Sequence, residues 1–98
     1  SVWLQSTQLH SEPVHWISDR SKPAEFRCTA KTRYRQSDEA CVVKQLENGE
    51  LSVIFDRPQR AVTPGQSVVF YLGDECLGGA VIASTNSKME QRQETKAV

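Results

Sequence analysis

The chain has 98 residues and a mass of 11.0 kDa, with 38% hydrophobic and 24% charged side chains, and twelve basic residues balance twelve acidic ones. That length supports one domain with one modest core. The even balance excludes a globally basic nucleic-acid coat or an acidic tail, but not a local basic stripe.

The longest apolar run, residues 68–72, is far too short to span a membrane, and residues 1–5 carry neither the basic region nor the apolar stretch of a signal peptide. Three cysteines without paired spacing argue against a disulfide framework and fit a reducing, cytoplasmic setting. Residues 1–83 show no internal repeat, and residues 84–98 hold almost nothing to bury, so a barrel-forming unit at 1–83 with a disordered polar tail at 84–98 is expected.

In chain order, residues 14–17 form a short β-prone run after the turn-forming Ser11-Glu12-Pro13. Residues 26–35 alternate: Phe26, Cys28, Ala30, Thr32 and Tyr34 share one face, and Arg27, Thr29, Lys31, Arg33 and Arg35 share the other. Residues 40–46 predict a strand, and Asn48-Gly49 predicts a hairpin with a type I′ turn into residues 51–55. Residues 56–60 read as a loop carrying Arg57 and Arg60, and Thr63-Pro64-Gly65-Gln66 as a type II turn. Residues 67–72 are apolar on both faces, which predicts a central strand. Residues 76–83 predict the last strand, with a bulge or a close backbone approach at Gly78-Gly79. Six short strands without a helix point to an all-β fold, a small closed antiparallel β-barrel.

The basic stripe of Arg27, Lys31, Arg33 and Arg35, extended by Arg57 and Arg60, is either a solvated outer face or a phosphate-tracking surface. Residues 20–60 hold nine basic and six acidic side chains, so the charge tilts where the stripe lies. Cys28, Cys41 and Cys76 lack the spacing of zinc ligands and read as structural thiols, with no metal expected. His10 and His15 read as surface or packing residues, Trp16 as core or interface, and Gly78-Gly79 is no phosphate loop.

Three motifs then carry a resemblance: Ala30-Lys31-Thr32-Arg33-Tyr34-Arg35-Gln36, residues 61–71 around Thr63-Pro64-Gly65-Gln66, and Cys76-Leu77-Gly78-Gly79. With His15-Trp16-Ile17 and Phe55-Asp56, the chain resembles the C-terminal domain of bacterial tRNA-specific 2-thiouridylases over roughly residues 8–83. The resemblance implies a six-stranded barrel similar to domain 2 of elongation factor Tu. It also implies membership of an enzyme that uses ATP, with magnesium, and persulfide sulfur to 2-thiolate the wobble uridine of tRNA. The nucleotide site and the catalytic cysteines belong to upstream domains, so this part is not expected to be catalytic or to bind a cofactor itself. Its implied partners are tRNA, those upstream domains and, for the whole enzyme, a sulfur-relay donor protein.

Carried over by motif, Arg33, Tyr34 and Gln66 are the implied tRNA contacts, with Arg27, Lys31, Arg35, Arg57 and Arg60 as further phosphate contacts. By alternation, however, Tyr34 falls on the apolar face with Phe26. Two other readings stand beside this one. One is a non-catalytic barrel that docks other domains or a sulfur-relay protein without touching tRNA. The other makes Cys76 a sulfur acceptor.

Overall fold

A computed structural model describes residues 5–33 and 37–87. Among them there are seven strands and no helix: β1 (Gln5–Ser11), β2 (His15–Trp16), β3 (Glu25–Lys31), β4 (Glu39–Gln45), β5 (Leu51–Arg60), β6 (Ser67–Leu72) and β7 (Glu75–Thr85). Every pairing is antiparallel, in the order β1-β5-β4-β3-β6-β7, and β7 returns to β1. The six long strands therefore close into the expected barrel, which removes exposed sheet edges. Two-residue β2 is an addition on the far edge of β7.

The strand number agrees with the sequence reading, but one member differs. Residues 14–17 do not supply a barrel strand, and the sixth is β1, whose polar sequence QSTQLHS gives no strong strand signal. Leu9 is its one large buried apolar side chain, while Ser6 and Ser11 also point inward. The Ser11 hydroxyl meets that burial by donating to the Glu12 carbonyl and accepting from the Leu51 amide. A strand recruited by closure can be polar, because its neighbours on both sides fix its register.

The alternation of β3 holds, with Cys28, Ala30 and Thr32 buried. Inward residues from the other strands complete the core: Cys41 and Val43 of β4, Leu51, Val53 and Phe55 of β5, Val68 and Phe70 of β6, and Leu77, Ala80 and Ile82 of β7. Trp16 is half-buried and packs against the core, with ring centroids 6.1 Å from both Phe26 and Phe70.

Several local expectations change. The Asn48-Gly49 hairpin is present, but only Gly49 has positive φ, at 86°. The Gly49 amide donates to the Leu46 carbonyl and the Leu46 amide to the Glu50 carbonyl. This is a three-residue loop, a type I turn closed by a left-handed glycine, rather than type I′. Thr63-Pro64-Gly65-Gln66 does form the expected turn, with Gly65 at φ 91° and the Gln66 amide donating to the Thr63 carbonyl.

The expected loop at 56–60 is instead the end of β5. Its pairing with β1 passes from Gln8↔Ile54 to Ser6↔Gln59, so several β5 residues bulge out opposite Thr7. Pro58 falls in that bulge, past the last pairing with β4 at Cys41↔Phe55, where its missing amide hydrogen costs nothing. β6 does not bury both faces: Val68 and Phe70 point in, whereas Val69 and Tyr71 are half-buried outside. β7 continues through Ser84 and Thr85, past the boundary expected after Ala83. Residues 88–98 lie outside the described residues.

Candidate nucleic-acid interface

β3 ends at Lys31, and the chain bends through Thr32 and Arg33 at the rim. The turn before β6 reaches the same rim. The Gly65 amide donates to the Ile82 carbonyl and the Ile82 amide to the Gln66 carbonyl, which pins the turn to β7. β6 pairs with β3 at Lys31↔Val69 and Thr29↔Tyr71, so the two segments stay side by side. The result is an open cavity of about 520 Å³ lined by Lys31, Thr32, Arg33, Gln66, Ser67, Val69 and Tyr71. Arg33 and Gln66, far apart in sequence, share this wall. Tyr34 and Arg35 lie outside the described residues, as does the parity conflict at Tyr34.

The cavity is chemically mixed. Val69 and the Tyr71 ring supply an apolar floor, which explains the apolar outer face of β6. Lys31 Nζ sits 5.4 Å from the centre of the Tyr71 ring and 3.4 Å from Asp38. Gln66 accepts from the Thr63 amide through Oε1, at 3.2 Å. Its side-chain amide group is thereby oriented with Nε2 as donor.

A second open cavity, about 530 Å³, lies on the other side of Arg33, lined by Gln5, Arg33, Ser37, Glu39, Arg57, Pro58, Gln59 and Arg60. The β5 bulge brings Arg57 there, and the end of the β1–β5 pairing brings Arg60. Glu39, only 9% exposed, accepts from Arg57 Nη2 at 3.1 and 3.3 Å and from Gln59 Nε2 at 3.2 Å. The Gln59 and Arg57 bonds hold its carboxyl below the usual range against the opposing pull of burial.

The structure divides the predicted basic stripe. Lys31 and Arg33 line the cavities, whereas Arg27 lines neither and is bound to Asp56 at 2.5 Å. Neighbouring carboxylates relieve the like-charge repulsion of the stripe at Arg27 and Lys31. Exposed pairs of this kind are worth little in water and can exchange for a phosphate.

Residues 6–82 match the aminomethyltransferase beta-barrel domain family. The chain belongs to that family. Among curated relatives of this barrel domain, the tRNA-specific 2-thiouridylase MnmA of Stenotrophomonas maltophilia (strain R551-3) is 57% identical over 95 residues, which are 97% of this chain and 25% of that protein. The protein of the same name from Xanthomonas campestris pv. campestris (strain B100) is 56% identical over 92 residues, 94% of this chain and 24% of its own. The resemblance read from the sequence motifs is thus borne out, and the barrel domain spans about a quarter of the length of these relatives.

The cysteines of this barrel domain are placed by packing. Cys28 and Cys41 are cross-strand partners in the core with sulfurs 3.9 Å apart, and both are free thiols. The bond to Cys28 and burial push the Cys41 thiol up. Cys76 is half-buried near the β6–β7 turn and lines neither cavity. Among the described residues no cluster of His, Cys, Asp or Glu could hold a metal ion, and no helix is long and apolar enough to cross a membrane. Gly78 offers no anion cradle, because the backbone of His15 and Trp16 fills the space beside it.

Sequence reasoning missed Glu39, Gln59 and Tyr71. Tyr71 carried a usable signal, an aromatic on the outward parity of a barrel strand. Glu39 and Gln59 carried none, because the bulge that brings β5 to the start of β4 is a tertiary feature.

Proposed function

We propose that this chain is the tRNA-binding barrel of a tRNA-specific 2-thiouridylase, the enzyme that uses ATP and persulfide sulfur to 2-thiolate the wobble uridine of tRNA. Arg33, Tyr34 and Gln66 are its tRNA contacts. The observation that carries this reading is the shared cavity wall of Arg33 and Gln66, with a cation and an aromatic floor beside them. Arginine offers a rigid fork to phosphate, and the ring and methyl surfaces suit a base or ribose. The names of the relatives supply the substrate class. ATP with magnesium and the reacting cysteines belong, on this reading, to other parts of the enzyme. The sulfur donor likewise meets the whole enzyme in the cytoplasm.

The test is titration of the chain with tRNA at two salt concentrations. Arg33→Ala should weaken binding and lower the salt slope by about one unit, and Gln66→Ala should weaken binding with the fold intact. A docking barrel is favoured instead by the ion pairs that cap Arg27 and Lys31. It predicts tRNA binding without a salt slope, or none.

A further inference from the structure

We infer that the cavity beside Glu39 is a second phosphodiester-binding subsite, in which the buried Glu39 carboxylate is a positioning residue for Arg57. The inference rests on the tRNA reading for the identity of the polyanion, but not for its chemistry.

Three guanidinium groups, from Arg33, Arg57 and Arg60, line this cavity around one carboxylate. Among the described lining residues, three positive charges thus face one negative in an open, polar site. The Arg57 side chain is 76% exposed, and such a chain would ordinarily sample many rotamers. Here one terminal nitrogen, Nη2, lies within reach of both Glu39 oxygens, so the group is pinned while its remaining donors stay in the open. Gln59 braces the arrangement: its Nε2 donates to Glu39 and to the Arg57 carbonyl at 2.8 Å. A carboxylate kept at this depth by hydrogen bonds, beneath arginines facing solvent, orients cations for an anion outside. Arg33 lies on the wall of both cavities, so a strand lying across it would place one nucleotide over Tyr71 and its neighbouring phosphate beside Arg57 and Arg60.

Simple electrostatics and positioning give opposite signs for one substitution. Glu39→Gln removes a negative charge, so if Glu39 contributes only field, tRNA should bind more tightly. If Glu39 positions Arg57, the substitution should weaken binding and reduce the salt slope. Each lost phosphate contact reduces that slope by about 0.7–0.9. Arg57→Gln and Arg60→Ala should each reduce the slope by the same amount. These two exposed positions leave the core intact if Glu39→Gln fails to fold. Arg20→Ala, at a residue bound to Glu75 and lining neither cavity, should leave the slope unchanged.

Tighter binding by Glu39→Gln overturns the positioning role. Binding that depends on Arg33 and Gln66 but ignores Glu39, Arg57 and Arg60 overturns the subsite and leaves the tRNA reading standing. Inorganic pyrophosphate, followed through the side-chain amide resonances of Gln59, separates the converse case. If it shifts them in the parent and not in Arg57→Gln while tRNA does not bind, the subsite stands and the tRNA reading falls. If neither ligand binds, both fall.

Discussion

Gly78 shows how one missing side chain organises a rim. Its φ is 151°, and a Cβ there would lie 2.8 Å from the Trp16 Cα and would also strike the His15 carbonyl. β2 can therefore lie on β7 only at a glycine, and Trp16 can then reach Phe26 and Phe70. Gly78→Ala should displace β2 and cost about 1–3 kcal/mol, more if Trp16 leaves the core. The check is the urea midpoint together with Trp16 fluorescence. A variant with both unchanged would contradict the close approach. The neighbouring Gly79 has ordinary φ, although a Cβ there would lie 3.0 Å from the Val68 carbonyl, so it is the milder site.

At the scale of the element, the β4–β5 hairpin separates two uses of turn residues. Gly49 alone is left-handed, while Asn48 accepts from the Glu50 amide at 3.1 Å. Gly49→Ala should thus cost about 1 kcal/mol, and Asn48→Ala less. A type I′ turn would make Asn48 as sensitive to a change in backbone preference as Gly49, and thermal unfolding of the two variants distinguishes the cases. The β5 bulge is the other decisive element. A strand that simply continued its alternation past Phe55 would put Arg57 inside the barrel, whereas the bulge turns it out over Glu39 and returns Gln59 to the interior. Bulges re-aim side chains in this way.

For the whole molecule, closure depends on the end of β7. Leu9↔Thr85 and His10↔Ser84 join the first strand to the last, and the Asn86 side chain accepts from the Thr7 and Gln8 amides and donates to the Thr7 hydroxyl. Truncation after Ala83 should open this seam and lower the melting temperature. Truncation after Ser87 keeps every one of these pairings, and the two melting curves should differ accordingly. The barrel should also be acid-sensitive. The carboxyl of Glu39 is lowered mainly by Gln59, that of Glu50 by His10 and that of Glu75 by Arg20. Lowered values mean that the folded form binds fewer protons than the unfolded one. Their contribution is complete above the unfolded carboxylate value of about 4.3 and is lost as pH falls from there through the folded values. Denaturant midpoints measured downward from pH 6 should fall in that window, with a shallower fall in Glu39→Gln.

The sequence by itself determined the fold class, the alternating core face of β3, the Pro64-Gly65 turn and, at Gly78-Gly79, a choice between a bulge and a close approach, of which the structure shows the close approach at Gly78 and a register shift beside it. Each is a local consequence of side-chain parity or of a residue's allowed φ. The family motifs raised Arg33, Tyr34 and Gln66 as expected contacts, and the structure shows that Arg33 and Gln66 line one cavity. Only the tertiary structure decided which chain segment closes the barrel, because β1 is made a strand by its neighbours rather than by its own residues. It also decided that Arg27 is held by Asp56, while Arg57 and Arg60 share a cavity with Arg33. Charge neutralisation and convergence depend on which strands lie side by side and where one bulges, and strand register is a property of the closed sheet.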